Sequence, residues 1–190
     1  MFGLFKASAS QNTVAMELYS SVVAQARQPY FYTDLAVPDT PDGRYDMIMI
    51  HAFLLLHRLK RDLPNTKEIS QALFDIMFED MDKSLREMGA GDVGIGRRIK
   101  EMAKGFYGRI EAYDDGLNRD DDSLGLALQR NVYRQSSAEN DQVKALSSYM
   151  RREAANLSDQ PIEALLTGKL SFAEPSQELL EPRSEEASFR

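Results

Sequence analysis

The sequence predicts an all-α fold: a single-domain helical bundle of about six helices followed by a disordered acidic C-terminal tail. Three observations carry this expectation. Apolar residues recur every three or four positions through successive segments, prolines and glycines punctuate the gaps, and a central apolar stretch of some 20 residues without a turn signal is too long for an ordinary strand. The 190 residues suffice for one self-standing core, and 43% hydrophobic with 28% charged residues is ordinary globular usage. The expected organisation is a flexible N-terminus over 1–9, a helical domain over 10–170 and a disordered tail over 171–190.

Val14, Leu18, Val22 and Ala26 recur every four positions, so residues 10–27 read as an amphipathic helix that stops before Pro29. Residues 29–43 are rich in turn formers and read as an ordered connector, with Tyr30, Phe31 and Tyr32 packed on the core. From Arg44 to about Leu63 the chain is apolar on nearly every side, which marks a central buried helix. Asn65-Thr66 supplies the next start, and Ile69, Leu73, Met77, Met81 and Leu85 form its apolar face. Gly89-Ala90-Gly91 ends that helix, and Ile95, Ile99, Met102, Phe106, Ile110 and Tyr113 define a partner folded back on it. A polar break over 114–122 precedes a shorter helix through Leu124 to Tyr133. Ser136 or Ser137 opens another, running to about Asn156, and a brief turn spans Ile162 to Thr167.

Composition also excludes several function classes. A net charge of −7 opposes binding to duplex DNA, whose affinity comes from cations displacing counterions. The absence of cysteine removes disulfides, thiol nucleophiles and cysteine-ligated zinc or iron–sulfur centres. The longest apolar run, Met47 to Leu56, holds ten residues with His51 inside it, well short of the roughly 20 that cross a bilayer. Lys6 is the only cation before Arg27, so the N-terminus reads as neither a secretory signal nor a transit peptide: either the chain is already processed or the expected location is cytoplasmic, with peripheral contact to the inner membrane allowed.

Four motifs compete for a chemical role. Gly89 to Gly94 matches G-x-G-x-x-G, but a periodic helix precedes it where a dinucleotide fold needs a strand, so it reads as a helix cap and turn. Asp114, Asp115 and Asp120 to Asp122 could gather oxygen ligands, yet no second cluster faces them, and a solvated loop is the better reading. His51 and His57 lie six apart, about 240° around a helix, and so do not form a metal pair. His51 reads as a hydrogen-bonded core residue. No catalytic residue, metal or cofactor is therefore expected.

The fourth feature is charge. Residues 94–110 carry five cations against one anion, and Asp75 to Glu87 carry five anions against two cations. These faces either neutralise each other across the hairpin, at about 0 to 1 kcal/mol per exposed pair, or offer an anion-binding face to a partner protein, ribosomal RNA or anionic lipid. The partner-binding surface expected here comprises Asp75, Asp82, Arg86, Arg97, Lys100, Lys104, Tyr107 and Arg109. An RNA- or ribosome-binding module using the basic helix 95–110 is the alternative.

The hairpin also carries a longer signature: Leu73-Phe74-Asp75-Ile76-Met77-Phe78-Glu79-Asp80-Met81-Asp82 continuing to Asp92, then Gly96-Arg97-Arg98-Ile99-Lys100-Glu101-Met102 and Phe106-Tyr107-Gly108-Arg109. With Tyr30 to Asp34, Val37 to Thr40 and Gly43 to Asp46, it resembles the ubiquinol–cytochrome c chaperone family, here a bacterial-type member. The resemblance implies an all-helical, non-catalytic chaperone for assembly of the cytochrome bc1 complex. The partners it implies are newly made cytochrome b or an early bc1 assembly intermediate, a small partner protein and the ribosome.

Overall fold

A computed structural model describes residues 8–89, 92–134, 136 and 138–175. Among these every regular element is a helix: α1 (Ala9–Ala26), α2 (Tyr30–Thr33), α3 (Pro41–Lys60), α4 (Lys67–Glu87), α5 (Asp92–Asn118), α6 (Ser123–Asn131), α7 (Asn140–Asp159) and α8 (Ile162–Leu165), of which α2 and α8 are single turns. The all-α expectation holds, with the six longer helices in the order anticipated. Residues 1–7 of the expected flexible N-terminus, Ala90 and Gly91 of the turn, Ser137, and residues 176–190 of the expected disordered tail lie outside the described residues, whereas 171–175, expected in that tail, are held against the bundle with Pro175 buried.

The bundle is organised around α3. Met47 through Leu55 are buried without interruption, so this helix has apolar neighbours on every side: α1, α4, α5 and α7. Its start is set by Thr40, whose Oγ1 accepts the Gly43 amide at 3.2 Å, with Pro41 in the first turn. Gly43 is required there because a Cβ would collide with the Pro38 carbonyl oxygen. The connector before it is ordered as expected. Phe31 is fully buried, edge-on to His51 and Tyr149.

Three local expectations are corrected. Thr66 stands at the start of α4 but does not cap it; its buried hydroxyl donates to Leu59 O at 2.6 Å and so satisfies the end of α3. The polar break anticipated at 114–122 begins only after Asn118. Arg151 of α7 donates to Gly116 O, Leu117 O and Arg119 O and so satisfies the last carbonyls of α5, which carries the helix through Asp114 and Asp115. α7 opens at Asn140, later than the serines suggested, where the Gln142 side-chain oxygen accepts the Glu139 amide at 3.0 Å.

His51 is fully buried, as expected of a core residue. Its Nδ1 donates to Met47 O at 2.8 Å, which leaves Nε2 to accept from the Tyr149 hydroxyl at 2.7 Å. Burial holds the imidazole down at about 4, against 6.5 for a free histidine. The unfolded chain therefore binds the extra proton first. The stabilisation from neutral His51 is complete above about pH 6.5 and is lost as pH falls towards 4, about 3 kcal/mol in all. Urea midpoints measured across that window should rise with pH for the unaltered chain, and His51→Gln should flatten the slope.

Candidate functional site

The first turns of α3 present Asp42, Tyr45, Asp46 and Met49 along one stripe, at the three- and four-residue spacing of a helix face. Facing them, α5 contributes Arg98, Glu101, Met102, Gly105 and Arg109, and the turn after α6 contributes Arg134. Together they line a cleft of about 440 Å³. A second cavity of about 290 Å³ adjoins it and shares Asp42, Tyr45, Arg98 and Met102. The two form one two-lobed depression between α3, α4 and α5, parted by the Arg98–Asp42 ion pair at 3.2 Å.

The first lobe is ionic. Asp46, with 3% of its side chain exposed, lies 2.7 Å from Arg109 Nη1 and 2.6 Å from Arg134 Nη1. The Arg109 contact to Oδ1 is an ion pair, and Arg109 Nη1 also donates to Met49 Sδ at 2.6 Å. Burial pushes the Asp46 carboxyl above the usual carboxylate range, and Arg109 and Arg134 pull it back. The charges here are committed to one another, which fixes α3, α5 and the α6–α7 turn at one junction.

The second lobe is apolar and adaptable. Ile48, Met81, Leu85 and Met102 line it, Met88 stands 55% exposed at its edge, and Arg27, Arg44, Asp80 and Glu87 ring it. Flexible thioethers beside fixed ionic pairs suit a guest that is apolar along its length and charged at one end. Gly105 of α5 lines the first lobe, and it, Gly94, Gly96 and Gly108 have open space where a Cβ would stand.

Of the eight residues expected to form a partner surface, Arg109 lines this cleft. Asp82 and Arg86 pair with each other on α4 at 2.6 Å. Arg97, Lys100 and Lys104 lie exposed on α5, with Arg97 4.0 Å from Glu101. Asp75 and Tyr107 are brought together at the far end of the hairpin, where Tyr107 is 47% exposed against the Phe74 ring. α4 and α5 meet through Phe74, Phe78, Phe106 and Tyr107, while Arg98 and Arg109 reach across to Asp42 and Asp46 of α3. Neutralisation of the basic helix therefore involves α3, a pairing that the hairpin reading omitted. Asp46 and Arg134 were missed for different reasons. An acid one residue before a long apolar run is a sign of a buried ion, whereas Arg134 sits 88 residues further on and nothing local links the two.

The other motifs resolve simply. Gly89 has φ +82° at the end of α4, and α5 follows, so no strand leads into the glycine pattern. Asp114 pairs with His57 at 2.8 Å and Lys60 at 3.3 Å, and Asp115 with Arg119 at 2.9 Å. No group of three or more metal-ligand side chains gathers among the described residues.

A family model described as ubiquinol–cytochrome C chaperone matches residues 33–172, which takes in every residue of the cleft except Arg27. The chain belongs to this chaperone family. Among its relatives is the ubiquinol–cytochrome c reductase complex assembly factor 1 of Mus musculus, 27% identical over 83% of this chain and 54% of the mouse protein. Another is the mitochondrial protein CBP3 of Saccharomyces cerevisiae, 30% identical over 83% of this chain and 49% of the yeast protein. The chain thus spans about half the length of these two relatives. The crystal structure of the Cbp3 homolog from Brucella abortus superposes with a TM-score of 0.80 at 37% identity, covering 88% of this chain and 93% of that one.

The ionic lobe of this family member yields a stability prediction. Arg109→Met leaves Asp46 buried with Arg134 alone, so its carboxyl should rise further and stability at neutral pH should fall by about 3 kcal/mol. The loss should shrink in mildly acidic buffer, where protonation removes the orphaned charge. Urea titrations of both proteins at the two pH values measure it.

Proposed function

We propose that this chain is a non-catalytic assembly chaperone for the cytochrome bc1 complex, and that the two-lobed cleft holds newly made cytochrome b or an early assembly intermediate. The observation that carries the reading is membership of the chaperone family, with relatives named as assembly factors of ubiquinol–cytochrome c reductase. The cleft supports it chemically. Membrane-protein helices are apolar along most of their length and carry charge at their ends, and the methionine-lined lobe beside the arginine–aspartate lobe offers a counterpart to each part. No helix among the described residues is long and apolar enough to cross a membrane, which is compatible with a cytoplasmic protein that meets its client at the inner-membrane surface.

A second reading places an RNA, the ribosome or a small partner protein on the outward face of α5, where Arg97, Lys100 and Lys104 are exposed. One experiment separates the two. In a host that respires through the bc1 complex, deleting the gene should lower cytochrome b and bc1 activity, and unchanged levels of both would remove the assembly role. Restoration should fail with Met88→Glu/Arg98→Glu, two exposed positions on the cleft, and succeed with Arg97→Glu/Lys100→Glu/Lys104→Glu. The reverse pattern would move the working surface to the outward face of α5.

A further inference from the structure

After α8, residues 169–175 run without regular structure along the seam between α1 and α7. Almost everything that holds them is a side chain gripping a main-chain atom. Asn156 and Gln160 donate to Ser171 O at 3.1 and 2.6 Å, and Gln160 Oε1 accepts the Ser171 amide at 3.2 Å. Glu153 Oε2 accepts the Ala173 amide at 3.1 Å, and Gln25 of α1 donates to Ala173 O at 2.9 Å. Glu153, Asn156 and Gln160 stand three and four residues apart, so one face of α7 forms a ladder along an extended backbone.

Sequence is read at few points. Phe172 packs edge-on against the His51 ring, with centroids 5.3 Å apart, and Pro175 is buried. The grip otherwise uses atoms that every polypeptide has. Glu153 adds a second observation. It is fully buried, Oε2 takes both Asn156 Nδ2 and the Ala173 amide, yet among the described residues Oε1 accepts no hydrogen bond and has only an ion pair with Arg152 Nε at 3.9 Å. A buried carboxylate oxygen without a donor is costly, so this seam holds one more acceptor than residues 171–175 use.

We propose that the α1–α7 seam is a binding groove for an extended segment of another polypeptide, anchored by one aromatic side chain, and that residues 171–175 occupy it in cis. The occupying stretch follows α8, the last helix among the described residues, and belongs to no helix itself. An incoming segment that also brings a hydroxyl, amide or cationic side chain to Glu153 satisfies the spare oxygen and competes with the resident stretch. The groove is separate from the two-lobed cleft, so this inference stands or falls independently of the client reading.

The test uses the full chain carrying Phe172→Ala and Ala173→Pro, which removes the anchor and the amide donated to Glu153, together with a labelled peptide of the sequence 168–176. The peptide should bind this loosened chain about tenfold or more tightly than it binds the unaltered chain, and a peptide with Phe172→Ala should lose about tenfold or more of that affinity. Equal binding to both chains, or indifference to the peptide's phenylalanine, overturns the proposal. If circular dichroism shows that the loosened chain has lost helix, the unaltered chain answers instead. Excess peptide should then speed hydrogen exchange at the Ala173 amide by about tenfold, and an unchanged rate overturns the proposal. A concentration-dependent dimer of the unaltered chain that the double substitution abolishes would assign the groove to a second copy and also overturn it.

Discussion

α3 is apolar on nearly every side, and this forces each polar group it buries to find its partner inside the protein. Three such groups occur along it, and each ties a different part of the bundle to the centre. Asp46 at the start draws in Arg109 of α5 and Arg134 of the α6–α7 turn. His51 in the middle draws in Tyr149 of α7, which in turn accepts from Gln25 of α1 at 3.0 Å. Arg58 near the end donates to Leu157 O and Gln160 O and so satisfies the last carbonyls of α7. Burial of apolar area drives the helices together without direction, whereas these three polar commitments select one register.

The same rule explains why the candidate site lies where it does. At its N-terminal turns α3 leaves the fully apolar interior and exposes one stripe, so the ionic cluster around Asp46 forms a boundary between core and cleft. On one side of the Arg98–Asp42 pair the walls are charges already matched to each other, and on the other they are methionine, leucine and isoleucine. The first lobe supplies rigidity and a sense of polarity. The second is adaptable in outline, because an unbranched thioether can change rotamer at little cost.

Much of this was legible in the sequence, because the strongest determinants are local. The four-residue period of α1, the long apolar run of α3 and the glycine turn after α4 each specify an element within a short window. What escaped notice depends on residues distant in the chain. The end of α5 moved from Tyr113 to Asn118 because Arg151, more than 30 residues later, satisfies its last carbonyls. Thr66 serves the helix behind it instead of the one ahead. Residues 171–175 carry no periodic signal at all, and their placement comes from a ladder on α7. The cleft was missed for the same reason: Arg134 and Asp46 meet only in space, while the visible charge pattern of the hairpin drew attention to its outward face.

The run of glycines along α5 has a mechanical consequence. Each one forgoes about 1 kcal/mol of helix stability relative to alanine, and at Gly94, Gly96, Gly105 and Gly108 no neighbouring atom needs the vacated space. Intrinsic propensity therefore contributes little to this wall of the cleft, which depends on anchor points such as Ile95, Phe106 and Tyr113 pressing into the core. A wall built this way is fixed at its anchors, whereas α3 behind it is buried without interruption from Met47 to Leu55. The chamber therefore has one side held at a few anchor points and the other packed along most of its length.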